Sequence, residues 1–121
     1  MDGDAQDPLD AAMQALRAEY LAESPERVRE LSEALGRLRA KDAAALADLQ
    51  RYFHRLAGSG GSYGFPLITD CSRAAELAVS RLASKGRPLV REDFAALEQS
   101  ILGVTDAFRD AQRTFAGDLP R

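Results

Sequence analysis

The chain has no tryptophan, five phenylalanines and three tyrosines, and this small aromatic content argues against a large aromatic ligand pocket. Its single cysteine, Cys71, cannot form an internal disulfide, so the cytoplasm is the expected compartment. One cysteine and one histidine do not supply the ligands of a zinc site. No apolar run reaches 18 residues, and the acidic N-terminus carries no signal-peptide core, so we expect no membrane-spanning segment.

The charged residues exclude a further class of partner. Sixteen basic and nineteen acidic residues are interspersed and give a formal charge of −3. Nucleic-acid binding usually requires a basic patch, so we expect no nucleic-acid partner. The length of 121 residues and an apolar content of 45 % fit one domain with one core, over residues 1–121. We expect this domain to be a monomer.

Apolar residues recur at intervals of three and four along most of the chain, which is the period of core-facing helices. Capping residues and prolines set the predicted boundaries. The predicted helices cover about 8–22, 25–40, 43–59, 66–84 and 90–115, with Asp7, Ser24 and Asp42 as caps of the first three. Residues 60–64 are predicted to form a turn, Lys85–Pro88 ends the fourth helix, and residues 1–7 and 117–121 are expected to fray.

The short connections between these helices predict an all-α protein, an antiparallel up-and-down four-helix bundle. The short extra N-terminal helix should cap one end. In the fourth helix the apolar stripe predicts an inward side of Leu67, Cys71, Ala74, Ala75, Ala78 and Leu82. The residues expected to be largely buried are Leu46, Leu49, Phe53, Leu56, Cys71, Leu97, Ile101 and Phe108.

The only histidine, His54, is followed within ten residues by four of the nine glycines. Glycine in a helix costs about 1 kcal/mol relative to alanine, so these glycines indicate that space is kept open around the imidazole. At about 100° per residue, His54 lies some 120° from the centre of the core stripe, at the edge of the buried side or in solvent. A neutral imidazole is available there as a nucleophile at pH 7. The alternative is a surface histidine without a role.

Several neighbours of His54 allow two interpretations. Gln50, Arg51 and Gly58 share its side of the helix. Arg51 and Arg55 form either an ordinary solvated surface or a rim that attracts an anion. Gly58, one turn after the histidine, either leaves the ring uncovered or allows a neighbouring helix to pack closely.

Residues 60–64 also match G-x-S-x-G, the nucleophile elbow of serine hydrolases. That motif requires a strand before it and a histidine after it. Here a helical pattern precedes the motif and no histidine follows, so we reject this interpretation. The same glycines make neither a Walker loop nor a dinucleotide-binding fingerprint.

The pattern of His54, Leu56, Gly58, Ser59 and Gly64 resembles the signature of histidine-containing phosphotransfer (Hpt) domains. The resemblance extends to the number and spacing of the helices. It implies a phosphocarrier without an ATP site of its own, which relays a phosphoryl group between a sensor histidine kinase or phospho-aspartyl receiver domain and another receiver domain. It also implies that the chain needs no cofactor, since the Mg²⁺ would belong to the partner receiver.

Under this resemblance His54 is the phosphoacceptor. The sequence departs from the family at Ala57, where many members carry lysine, and Arg51 or Arg55 is the expected substitute. The residues expected to support the phosphoryl group or the partner are Gln50, Arg51, Arg55, Gly58 and Ser59. The alternative is a degenerate Hpt domain, a four-helix interaction module that binds a receiver or kinase without phosphotransfer.

Overall fold

The computed structural model describes residues 7–118, and these residues form five α-helices and no strand. The helices are α1 (Pro8–Ala22), α2 (Ser24–Arg39), α3 (Ala44–Ser62), α4 (Pro66–Ser84) and α5 (Arg91–Asp118). α1, α2 and α4 each carry proline in the first turn, where its missing N–H costs no helical hydrogen bond. All five predicted helices are therefore confirmed.

Helices α2 to α5 form a closed antiparallel bundle in which each packs on the next and α5 returns to α2. Two contacts set the antiparallel arrangement of α2 and α5: Arg39 pairs with Glu98 at 2.9 Å, and Gln112 Nε2 donates to Ser24 Oγ at 2.8 Å. The bundle encloses one core. Its largest fully buried apolar side chains are Leu31, Leu49, Phe53, Ile68, Val79, Leu97, Val104 and Phe108.

Helix α1 covers the end of the bundle where α3 turns into α4. The ring of Tyr20 stacks on Tyr63, with 4.6 Å between centroids, and lies 6.1 Å from the ring of Phe65. Arg17 Nε donates to the Tyr63 carbonyl at 2.8 Å. This confirms the capping position predicted for the first helix.

The turn predicted over residues 60–64 is wrong in its first residues, because α3 continues to Ser62. The helix ends as Gly64 takes a left-handed backbone (φ 88°) and the N–H of Phe65 donates to the Gly60 carbonyl at 2.8 Å. A bond of this span is the helix ending that favours glycine. Gly60 itself serves packing: a Cβ there would lie 2.9 Å from the Ile68 Cβ.

The inward side predicted for α4 is right for Ala75 and Leu82, which are buried. For the other residues it is wrong, because the buried side is displaced by about one residue, or about 100° of rotation. Leu67 is 48 % exposed and Ala74 is exposed, whereas Ile68 and Val79 are fully buried. The polar Ser72, also fully buried, interrupts the apolar pattern from which the side was predicted. The bare backbone at residue 60 then lets α4 approach closely at residue 68, which turns that residue into the core.

Most of the predicted buried residues are buried, and two are not. Leu46 and Cys71 are only partly buried and pack against the margin of the core. The incomplete burial of Cys71 follows from the rotation of α4. Burial raises the pKa of its thiol, so the thiolate is disfavoured.

Two boundary predictions also differ from the structure. Ser24 lies inside α2, with Glu23 before it, and its hydroxyl accepts a bond from α5 instead of capping α2. The fraying predicted for residues 1–7 and 117–121 falls mostly outside the described residues. Of those described, Asp7 caps α1 by accepting from the N–H of Leu9 at 3.0 Å, and Gly117 lies within α5.

Candidate functional site

His54 stands in the middle of α3 with 75 % of its side chain exposed. Its neighbour Phe53 is fully buried, and a turn of about 100° between successive residues carries His54 from that buried side into solvent. This confirms the exposed position that the spacing of the apolar residues predicted. The ring therefore projects from a rigid element, where another molecule can reach it.

Glu76 on α4 holds the imidazole from one side. Its Oε2 lies 2.8 Å from His54 Nδ1, and its side chain is 25 % exposed. A carboxylate accepts, so the ring nitrogen that it faces is the one that carries hydrogen. In the neutral ring, this leaves Nε2 with the free lone pair. Glu76 could not be found from the sequence, because the register between α3 and α4 is a tertiary property.

Three further hydrogen bonds between α3 and α4 define that register. Gln50 Nε2 donates to Ser80 Oγ at 2.8 Å, and the N–H of Gly61 donates to Thr69 Oγ1 at 2.6 Å. The Thr69 hydroxyl also donates to the Ala57 carbonyl at 2.7 Å. Together with the bond at His54, these contacts run along the whole seam between the helices. Gln50, one turn before the histidine, is bound to α4 through its contact with Ser80.

The structure separates the two arginines that flank the histidine. Arg51 pairs with Asp48 at 2.9 Å, and its guanidinium lies 5.3 Å from the centre of the Tyr52 ring. Arg55 points toward α2, where it lines a small cavity with Arg27. Neither arginine forms part of the contact between His54 and α4.

The two small residues after the histidine have different surroundings. Gly58 is exposed, and no heavy atom of residues 7–118, apart from its chain neighbours and nearby helix backbone, lies within 4 Å of where its Cβ would be. Ser59 is turned toward α1, and its Oγ lies 2.8 Å from the hydroxyl of Tyr20. The structure therefore brings Gly58 to the open side of the site and gives Ser59 a contact that fixes α1.

An open depression of about 540 Å³ runs along α4 beside Glu76. Leu77, which is 51 % exposed, supplies apolar surface to it. Arg73, one turn before Glu76, lines the same depression and makes no ion pair within residues 7–118. The hydrogen-bonded pairs 50–80 and 54–76 set a register in which position 73 of α4 lies opposite position 57 of α3. Sequence reasoning missed this cation because it lies on the neighbouring helix.

Two absences concern the described residues. Within residues 7–118 no group of three or more His, Cys, Asp or Glu side chains is placed to hold a metal ion. None of the helices in this part of the chain is both long and apolar enough to cross a membrane.

The fold and the site together describe a helical module: an antiparallel four-helix bundle that presents one exposed histidine from the middle of a helix. The family model of the Hpt domain matches residues 15–108, which is most of the chain and includes α2, α3 and α4 in full. The chain belongs to the Hpt domain family. No curated protein and no solved structure matches it. Hpt domains act in histidine phosphotransfer in phosphorelays, where they interact with receiver domains and kinases.

Proposed function

We propose that this protein is a phosphocarrier in which His54 accepts a phosphoryl group from a phospho-aspartyl receiver domain or a kinase and passes it to another receiver. The observation that carries the proposal is the exposed imidazole whose Nδ1 is held by Glu76 at 2.8 Å. A relay histidine has to enter a partner's pocket with one nitrogen ready to attack. The carboxylate supplies that readiness, because a hydrogen on Nδ1 leaves Nε2 as the nucleophile.

The transfer step follows from this arrangement. The Nε2 lone pair attacks the phosphorus of the partner's aspartyl phosphate, and the P–O bond to the aspartate breaks as the P–N bond forms. The aspartate leaves as a carboxylate with the bonding electron pair. The hydrogen stays on Nδ1, so the imidazole becomes cationic, and the carboxylate of Glu76 stabilises that charge. Reversal of the same step returns the phosphoryl group to an aspartate.

The new phosphate also requires a cation, and Arg73 is the best-placed one. It lies on the same side of α4 as Glu76, one turn away, with no ion pair within residues 7–118. Gly58, one turn after the histidine, adds no side chain that would cover the ring. Arg73 thus takes the place expected for Arg51 or Arg55, while Ala57, at 6 % exposure, is packed between the helices.

The proposed partner surface is on the side of the molecule that carries His54 and Glu76. The exposed Leu77 follows Glu76 on α4 and supplies apolar contact area, and the bare backbone at Gly58, one turn after the histidine, supplies flat contact area. We propose that a receiver domain docks here as one partner of a monomeric chain. The Mg²⁺ of the reaction would be bound by the receiver, and the chain would work in the cytoplasm, as its sequence predicts.

The proposal is tested by incubating the chain with receiver domains phosphorylated by a small-molecule donor. We expect label on the chain that is labile in acid and stable in alkali, which is the behaviour of a phosphohistidine. His54→Gln should abolish the label and change the free energy of unfolding by no more than about 0.5 kcal/mol, since the side chain is on the surface.

A degenerate Hpt domain predicts a different result. The absence of a lysine at Ala57 is the observation that favours this alternative. Such a module would bind a receiver in a titration but take no label from it under any condition. Label that persists in the His54→Gln variant would instead show that the acceptor is another residue, and our assignment would be wrong.

A further inference from the structure

The end of the bundle opposite α1 contains a groove that the proposed phosphotransfer does not use. It has a volume of about 480 Å³ and lies between the α2–α3 and α4–α5 connections. We call it the basic end groove. The lining residues are Leu38, Arg39, Lys41, Asp42, Ala43, Pro88, Leu89 and Phe94.

The floor of the basic end groove is apolar. Leu38 is buried, and Leu89 and Phe94 are only partly buried, so each retains surface that the core does not cover. Val90, next to Leu89, is 45 % exposed. The floor is also fixed in place: the N–H of Val90 donates to a carboxylate oxygen of Asp93 at 2.8 Å. The groove is therefore a stable concave site for an apolar side chain.

Positive charge surrounds this floor. The segments 37–42 and 81–93, which form this end, hold seven basic and three acidic residues, although the whole chain has a charge of −3. Two of the three acids are neutralised internally: Asp42 pairs with Arg37 at 3.1 Å, and Asp93 pairs with Arg87 at 2.7 Å. The surplus is therefore positive at the surface, and the rest of the molecule is correspondingly more acidic.

Several of these cations have no internal partner. Within residues 7–118, Lys41, Lys85 and Arg91 make no ion pair. Arg39, on the wall of the groove, lies 5.3 Å from the centre of the Phe94 ring while it pairs with Glu98. A ligand that enters the groove thus meets uncompensated positive charge at the rim.

Lys41 occupies this rim at a cost to the fold. Its φ of 69° is the left-handed conformation, which glycine adopts far more readily than lysine. The position ends α2, with the N–H of Lys41 donating to the Leu38 carbonyl at 3.0 Å. A residue that is unfavourable for the local backbone, yet carries its charge to the edge of an apolar groove, points to a role outside folding.

We propose that the basic end groove binds an acidic segment of a partner protein that inserts one bulky apolar side chain. Charge complementarity selects the acidic segment, and the concave floor selects the apolar side chain. A membrane surface would require a protruding apolar face rather than a groove, and the acidic remainder of the chain opposes nucleic acid. The groove lies about 16 Å from His54 along α3, so its occupant leaves the histidine uncovered.

The test uses synthetic peptides of eight residues, with glutamate at six positions and two central positions filled by leucine, by phenylalanine or by alanine. Each peptide is titrated into the ¹⁵N-labelled full chain. We expect the leucine or phenylalanine peptide to shift the amide resonances of residues 38–43 and 88–94, and to leave those of 54 and 76 unchanged. The alanine peptide and a lysine-for-glutamate peptide should bind more weakly.

Two variants separate binding from folding. Lys41→Gly should weaken peptide binding about two- to fivefold, which is the range expected for one rim charge. Its melting temperature should hold or rise, because the strained backbone is relieved. Val90→Glu should also weaken binding, because it puts a negative charge next to the lining residue Leu89 and repels an acidic peptide. The fold should not change, since the side chain is exposed and the backbone bond to Asp93 stays.

Three results would overturn the proposal. One is the absence of shifts at 38–43 and 88–94 with all acidic peptides. Another is binding that neither variant weakens. The third is binding of the chain to phosphatidylserine vesicles, lost in Lys41→Gly, when no peptide binds, because the occupant would then be a membrane. None of these measurements depends on phosphorylation of His54.

Discussion

Gly60 lies against Ile68 so closely that a Cβ atom on residue 60 would come within 2.9 Å of the Ile68 Cβ and of the Thr69 backbone nitrogen. Gly58 is different: beyond its neighbours and nearby helix backbone, no heavy atom of residues 7–118 lies within 4 Å of its Cβ position. The hypothesis that Gly58 exists to let a helix pack is therefore wrong. The packing of α4 on α3 requires Gly60, whereas Gly58 leaves the surface beside His54 without a side chain.

This contrast gives a first prediction. Gly58→Ala should leave the chain as stable or up to about 1 kcal/mol more stable, because alanine is the better helix former and meets no obstacle. Gly60→Ala should cost about 1–3 kcal/mol, because the new methyl group overpacks the α3–α4 interface. Urea unfolding of the two variants measures the difference. Equal stabilities would contradict this, because they would show that α4 can move away at Ile68 and make room for the methyl group without cost.

A larger residue at position 58 separates stability from access. Side chains on a helix lean toward its N-terminus, so a leucine at 58 extends toward the imidazole one turn earlier. Gly58→Leu should keep the melting temperature and reduce phosphotransfer to His54 strongly. A variant that transfers at the normal rate would refute the role in access, and Gly58→Ala serves as the matched control.

The contact between Glu76 and His54 gives a second prediction. Glu76→Ala should slow phosphotransfer on the order of 10- to 100-fold, the range found when the carboxylate that orients a metal-bound imidazole is removed. Glu76→Gln should fall between, because its amide oxygen still accepts from Nδ1 but carries no charge to stabilise the cationic ring. Single-turnover rates against one phosphorylated receiver measure this order. If both variants transfer as fast as the parent chain, the carboxylate does not position the ring.

The placement of the arginines gives a third prediction. Arg73→Glu should slow transfer, and the effect should shrink as salt rises, because an exposed cation acts mainly by electrostatic attraction. Arg55→Glu is the matched control, with the same charge change on the α2 side of α3, and should have a much smaller effect. If the Arg55 variant is the slower one at low salt, the cation of the site is the one expected from the sequence rather than Arg73.

A fourth prediction concerns acid stability at the start of α5. The Arg87 guanidinium, followed by the backbone N–H of Val90, lowers the pKa of Asp93 to about 2, from a usual 3.8. A carboxyl whose pKa is lower in the folded chain stabilises the fold above about pH 4, and this contribution is lost as pH falls toward 2. Arg87→Ala removes the larger cause, so the variant should be less stable than the parent chain at pH 7.

The ionisation of Asp93 also determines the pH profile of that variant. The difference in unfolding free energy between the parent chain and Arg87→Ala should be constant from pH 7 to about pH 4 and shrink toward pH 2. Arg91→Ala, which removes a cation that makes no ion pair within residues 7–118, is the control and should show no such dependence. Urea titrations at pH 7, 4, 3 and 2 test this, and a difference that grows toward pH 2 would contradict it.

The sequence determined the elements of the fold and the exposed position of the one histidine, because these depend on local properties. Asp7 and Pro8 set the start of α1, Pro66 set the start of α4, and the apolar period set which residues of α3 face inward. The same period placed His54 outside the core. The signature around the histidine indicated the family that the matched residues 15–108 then showed.

Only the tertiary structure decided how α4 faces α3. Its rotation depends on the close approach at Gly60 and on a buried Ser72, neither of which an apolar pattern reveals. That rotation brings Glu76 to the imidazole, and it turns Arg73 toward the depression that Glu76 also lines. Periodicity fixes the direction of a side chain about its own helix axis, but the partners of that side chain depend on the register between helices, which is set when their surfaces pack.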